Sequence, residues 1–208
     1  YSLYHQYTQI SDISYLKFLN FIEKCNNYNI KEILLISGSN KKKNFEVLNV
    51  MRKFKNEKKI KINIGNAYNP YLKNYYNLSG ERNRLEKKIS SGLTRSIWLQ
   101  FGTDIKLLES EINFIKKSIS NNKFNDNNQN IRIFGSLLIP SKQFISRFKF
   151  SPWKGVYIAD KYLNCLDDFY AFTKDLIEIY LDNNICPVIE TECTSKEKLE
   201  EIYTLIKT

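Results

Sequence analysis

Glu190 and Glu192 close a short apolar run near the end of this 208-residue chain. In an extended segment, side chains at i and i+2 point the same way. Paired acid–base or metal chemistry uses that arrangement. The plainer alternative is one exposed glutamate and one capping glutamate. Pro152-Trp153-Lys154-Gly155 places an indole on a loop, where a planar ligand could stack; the alternative is a core tryptophan. Cys25, Cys165, Cys186 and Cys193 show no C-x-x-C spacing, and His5 is the one histidine, so no zinc site is encoded. The thiols read as buried or free in a reducing cytoplasm.

The elements that must position such groups follow from periodicity. Apolar runs at 2–8, 31–37, 60–65, 94–100, 131–138 and 185–190 read as strands, and each leads into a segment with helical spacing. The first helix carries Ile13, Leu16, Leu19 (or Phe18), Ile22 and Cys25 on one face, after a Ser11-Asp12 cap. The second is capped by Asn44 and carries Val47, Leu48, Met51 and Phe54. Residues 66–80 read as a long loop. Glu81–Phe101 then forms a helix–glycine–strand unit. Leu85 and Ile89 mark the inner face, Gly92 is the positive-φ stop, and an apolar strand follows directly. Later helices fall at 104–119, 141–148, 166–181 and from Ser195 onward. Residues 121–130 form an Asn-rich polar loop.

Near-continuous apolar strands alternating with helices define an α/β fold with a parallel sheet. No Gly-x-Gly-x-x-Gly or Gly-x-x-x-x-Gly-Lys-Ser/Thr follows a strand. This argues against a Rossmann dinucleotide site and a P-loop. The expectation is a parallel (β/α) barrel of the TIM type, incomplete at six units, in a single domain spanning 1–208. A complete barrel typically needs about 250 residues. Functional groups in a barrel sit at strand C-termini, which directs attention to residues 5–9, 37–41, 66–71, 100–104, 139–142 and 190–193.

The net charge is +10, but the lysines are scattered, and Lys41–Lys43 and Lys58-Lys59-Ile60-Lys61 are the densest runs. A concentrated basic patch for nucleic acid is lacking. No run of 18 or more apolar residues suggests a membrane span, and no signal peptide is read at the start. The chain does not begin with Met, which leaves a processed or truncated N-terminus open.

Several spaced segments resemble the flavin-dependent methylenetetrahydrofolate reductases. Asn29-Ile-Lys-Glu-Ile-Leu-Leu-Ile-Ser-Gly38 is similar to that family's fourth strand, and Ala67-Tyr68 to the Ala-Tyr after its fifth. The interval from Tyr68 to Glu81 fits the family's tyrosine-to-acid spacing. Leu85-Glu-Lys-Lys-Ile-Ser-Ser-Gly92 and Phe134-Gly-Ser-Leu-Leu-Ile-Pro140 match later motifs. The resemblance places this chain on the last six of eight βα units. It implies FAD at the strand C-termini, NADH or NADPH as electron donor and a folate stacked on the flavin. The implied setting is one-carbon metabolism and methionine biosynthesis in the cytoplasm. Carried over by position, Ser37, Gly38 and Ser39 would lie near the ribityl chain and isoalloxazine, with Asn66 and Tyr68 lining the flavin. Glu81, Arg84, Lys87 and Lys88 would face the adenosine and pyrophosphate end, as phosphates require fixed cations. The alternative for these charges is an ordinary solvent-facing helix surface. Leu99 and Gln100 would fall at the folate.

The departures bear on activity. Ser39 stands where the family has an Asp beside the flavin, a lever on the cofactor's electronics. Leu99 stands where it has a folate-contacting Gln; Gln100 is one residue on, and a one-residue slip changes the face. Gln6 stands at a His position, although Thr8 matches. No Arg follows Arg147, so the family's late folate-tail Arg is missing. The family's general acid is a Glu on its first strand, which this chain does not contain. The expected function is FAD-dependent reduction of 5,10-methylenetetrahydrofolate. The rival is a non-catalytic flavin- or folate-binding relative, or a subunit that completes a partner's barrel. Open sheet edges need cover, which implies homo- or hetero-oligomers. Expected partners are folate-type small molecules, with neither nucleic acid nor membrane.

Overall fold

The computed structural model describes residues 6–9, 15–36, 46–56, 62–72, 75–122, 130–191 and 195–207. Strands and helices alternate as the periodicity requires: β1 (Gln6–Gln9), α1 (Tyr15–Asn27), β2 (Glu32–Ile36), α2 (Val47–Asn56), β3 (Asn63–Tyr68), α3 (Tyr75–Ser90), β4 (Thr94–Leu99) and α4 (Ile105–Ser120). Then come β5 (Arg132–Leu138), α5 (Lys142–Phe150), α6 (Asp160–Asn164), α7 (Leu166–Asp182), β6 (Ile185–Glu190) and α8 (Lys196–Lys207). Chain packing divides these into two compact units, 1–68 with 79–98 and 115–132, and 69–78 with 99–114 and 133–208.

In the first unit the strand order is β1-β2-β3-β4. β1 pairs with β2 in parallel, Gln6 opposite Ile33, and β2 with β3, Leu35 opposite Asn66. One face of this sheet is sealed by α1 and α2. Phe18, Ile22 and Cys25 from α1 meet Val47, Val50, Met51 and Phe54 from α2 over Ile33, Leu35 and Ile64. Phe18 and Phe54 stack with ring centroids 5.3 Å apart. Leu16, expected inward, faces solvent. Glu32 is buried and accepts from Ser96 Oγ and from the Arg132 guanidinium. Trp98 Nε1 donates to Ser96 Oγ at 2.8 Å. Gly65 makes room for that group: a Cβ there would lie 2.7 Å from Ser96 Oγ and 2.8 Å from Trp98 Nε1. α3 stops where its sequence says, with Gly92 at φ 76°.

In the second unit β5 and β6 run parallel, from Ile133 opposite Ile185 to Leu138 opposite Glu190. Phe169, Phe172, Leu176, Ile177 and Tyr180 form the buried face of α7, as the spacing predicts. Phe101 packs on Phe169 and Phe172 at 6.2 and 6.3 Å. Ser141 caps α5 by accepting from Phe144 N at 3.0 Å.

The expected α/β class with parallel pairing is present, and no strand pairing closes a barrel among the described residues. Three boundaries differ from the sequence reading. β3 runs from Asn63 to Tyr68 rather than 60–65, with Gly65 and Asn66 inside the strand instead of ending it. α3 begins at Tyr75, so the stretch read as a long loop at 66–80 opens with the last residues of β3 and closes with the first turns of α3. The short helix α6 carries no amphipathic repeat long enough to announce it. His5, the two caps at 11–12 and at 44, the lysine runs at 41–43 and 58–61, most of the Asn-rich loop, Glu192 and Cys193 lie outside the described residues.

Candidate functional site

Glu81, Arg84 and Lys88 stand at i, i+3 and i+7 on α3, a spacing that places them on one helix face. Leu85 and Ile89 anchor the adjoining face in the core. The charged face opens on a cavity of about 340 Å³ in the first unit. Leu35 and Ile36 close it from the end of β2, Ala67 from β3, and Glu46, Val47 and Leu48 from the start of α2. The volume lies at the low end of the roughly 300–1,000 Å³ typical of small-molecule sites. Because α2 starts at Val47, the cavity also meets the positive end of that helix dipole.

The charges are unequal in their surroundings. Arg84 is 54% exposed and donates through Nε (3.0 Å) and Nη2 to Glu81 Oε2. The Glu81 carboxylate is therefore engaged by the guanidinium. Lys88 is 8% exposed, and its Nζ donates to the Ala67 carbonyl at 3.1 Å. Burial pushes the Lys88 pKa below the ordinary lysine value; the Glu81 charge opposes this and the Arg84 charge adds to it. A buried ammonium resting on a carbonyl is short of counter-charge. An anionic ligand group would supply it.

The structure brings three of the predicted contact residues together at this cavity: Glu81, Arg84 and Lys88. Lys87 is exposed and outside the lining. Asn66 is fully buried: its Nδ2 donates to Thr94 Oγ1 at 3.0 Å, and Thr94 Oγ1 donates to the Lys88 carbonyl at 2.8 Å. The single hydroxyl proton of Thr94 is thus committed, which fixes the amide orientation and leaves Asn66 Oδ1 without a partner. Tyr68 is buried, and neither it nor Asn66 lines the cavity. Ser37, Gly38 and Ser39 lie outside the described residues. Leu99 and Gln100 belong to the second unit, Leu99 buried and Gln100 accepting from Phe101 N at 2.9 Å. The residues present fit the anionic end of a ligand, and no described residue offers a flat platform for an isoalloxazine ring at this cavity.

Sequence reasoning missed the apolar wall, Leu35, Ile36, Val47 and Leu48. They read as core positions, and their only sequence signal is that two end a strand and two begin a helix. Glu190 accepts from Ser136 Oγ. Trp153 packs edge-on against Phe144 and Phe148 at 5.3 and 6.3 Å and stays 45% exposed, between its two readings. Among the described residues no cluster of three or more His, Cys, Asp or Glu side chains could hold a metal, and no helix is long and apolar enough to cross a membrane.

No family model matches the chain, and no curated protein matches it. What the fold defines is an α/β protein with parallel strand pairing. Within that class its fold is similar to a solved structure from Clostridium thermocellum, an uncharacterized protein that binds two copies of 5-methyl-5,6,7,8-tetrahydrofolic acid. The TM-score is 0.53 and the identity 13%, over 98% of this chain and 92% of that one. At that identity the likeness establishes the fold alone.

Proposed function

We propose that this chain binds a reduced folate of the 5-methyltetrahydrofolate class and does not reduce it. The observation that carries the reading is the fold likeness over 98% of the chain to a protein that binds that folate. The cavity supports it independently. A reduced folate ends in carboxylates, and Lys88 and Arg84 are cations whose geometry suits a carboxylate. The aliphatic wall from β2 and α2 suits the uncharged part of such a ligand. The proposal that the folate is not reduced rests on two departures inside the chain: Ser39 and Leu99 stand where the reductases carry an Asp and a Gln.

FAD binding is a second reading with one observation behind it. Glu81, Arg84 and Lys88, which the resemblance assigns to the adenosine and pyrophosphate end, share one cavity. The methylenetetrahydrofolate reductase family, its nicotinamide donor and a cytoplasmic setting stand with that reading.

The test is a calorimetric titration of the full chain with 5-methyltetrahydrofolate, repeated with Arg84→Ala and Lys88→Met. Saturable binding weakened by both variants is expected. Wild-type protein that takes up no folate but turns yellow with FAD would replace the first reading by the second. Anaerobic flavin reoxidation by methylenetetrahydrofolate at an ordinary enzymatic rate, ~1–10³ s⁻¹, would overturn the non-catalytic assignment.

A further inference from the structure

We propose that the Lys88 ε-amine is a carbonyl-reactive site, condensing with small aldehydes that carry an anionic group. The chemistry belongs to the cavity between α2, α3 and the ends of β2 and β3, and it does not require the natural ligand to be a folate. Three features of that cavity lead to it. Lys88 is 8% exposed and lies in the cavity wall, where its Nζ donates to the Ala67 carbonyl. Glu81 Oε2 accepts both contacts from Arg84, so the carboxylate acts on Lys88 through its charge, which only partly offsets burial. The facing wall is aliphatic at Leu35, Ile36, Val47 and Leu48, with the exposed Glu46 at its edge.

A lysine must lose its proton before its nitrogen can attack. Burial depresses the pKa of Lys88, which enlarges the neutral fraction at neutral pH. The proton leaves to solvent. The nitrogen lone pair then attacks the carbonyl carbon, a C–N bond forms, the C=O π pair becomes an alkoxide, and one proton passes from the cationic nitrogen to that oxygen to give a carbinolamine. The hydroxyl takes a proton from solvent and leaves as water while the nitrogen lone pair forms C=N, and the nitrogen releases its remaining proton to solvent, leaving an imine. No oxidant or reductant enters. Arg84, one helical turn from Lys88 and 54% exposed, stands where it can hold a carboxylate or phosphate on the incoming aldehyde.

The test uses pyridoxal 5′-phosphate on the full chain, followed by borohydride, which adds hydride to the C=N bond and fixes a secondary amine. Peptide mass spectrometry then reads each lysine. Lys88 should label faster than its exposed neighbour Lys87, by roughly tenfold for each pKa unit of depression. Pyridoxal, lacking the phosphate, should label it more slowly. Lys87→Arg should keep the label at 88. Lys88→Arg, with circular dichroism unchanged, should lose that label and leave the surface lysines as they were. Labelling spread evenly over the exposed lysines, or a Lys88 that stays unmodified, would overturn the proposal; equal rates with the two aldehydes would overturn the part given to Arg84. The folate reading fails separately. Lys88 labelled with no folate bound sinks only the folate assignment, and folate bound with Lys88 inert sinks only the imine.

Discussion

Gly135→Ala is the substitution whose cost the structure determines most directly. A Cβ on Gly135 would lie 2.4, 2.5 and 2.7 Å from three carbons of the Tyr180 ring. Ordinary carbon contacts are about 3.5–4.0 Å, so the ring must retreat by about 1 Å. It has nowhere to go, because Tyr180 is fully buried on α7 and its hydroxyl donates to the Ser136 carbonyl at 3.1 Å. Overpacking of a filled core costs about 1–3 kcal/mol. Stretching the buried hydrogen bond adds about 1 kcal/mol. The expected loss is therefore about 2–4 kcal/mol. In a chain of this length it appears as a fall in Tm of about 4–16 °C, read by circular dichroism together with a urea midpoint. Tyr180→Leu removes the ring and its hydrogen bond and is costly by itself. In the double variant the clash disappears, so the two losses should sum to at least about 1 kcal/mol more than the double variant's own loss. A Gly135→Ala protein within about 0.5 kcal/mol of wild type, or strictly additive costs, would refute the claim that Tyr180 is wedged against this glycine.

Other substitutions test the first unit. Lys88→Met should raise stability at neutral pH. The folded-state pKa of Lys88 lies below its unfolded value, so the unfolded chain binds the extra proton; the penalty is full below the folded pKa and is relieved as pH rises toward 10.5. The advantage of Lys88→Met in thermal melts should therefore shrink on the alkaline side, and an advantage that grows with pH would contradict it. In the Glu32–Arg132 pair the side chains are 2% and 45% exposed. Arg132→Met removes one of the cations around the buried Glu32 carboxylate, Arg95 being another, and should destabilise the fold. Glu32→Gln should cost less, because the half-exposed guanidinium can rehydrate; the reverse ranking in urea melts would show that Glu32 is not the buried partner. Gly65→Ala should cost about 1–3 kcal/mol by forcing a Cβ into Ser96 and Trp98, and a neutral outcome would mean that this contact relaxes freely.

Legibility from sequence divides along physical lines. The inner face of α7 was readable because five apolar side chains repeat at helical spacing and nothing competes with burial there. The stop at Gly92 was readable because a positive φ is a local requirement, independent of the rest of the chain. β3 was misplaced for the opposite reason. Gly65-Asn66 is a turn signal on local grounds, yet here glycine answers to two side chains on β4, Ser96 and Trp98. Asn66 answers to Thr94, 28 residues away. Local propensity cannot register partners at that distance. The cavity shows the same split. Its charged side was anticipated only through the family resemblance, which assigns Glu81, Arg84, Lys87 and Lys88 to a ligand's phosphate end, and the fold places all but Lys87 at the cavity. Its apolar side was not, because a leucine that lines a cavity and a leucine that fills a core obey one sequence pattern. Lys88 stands between the two cases. The resemblance pointed to it, but only the fold buries the side chain and sets it on a backbone carbonyl. The feature that gives the site its chemical character, a cation short of counter-charge, is a property of tertiary packing rather than of lysine at position 88.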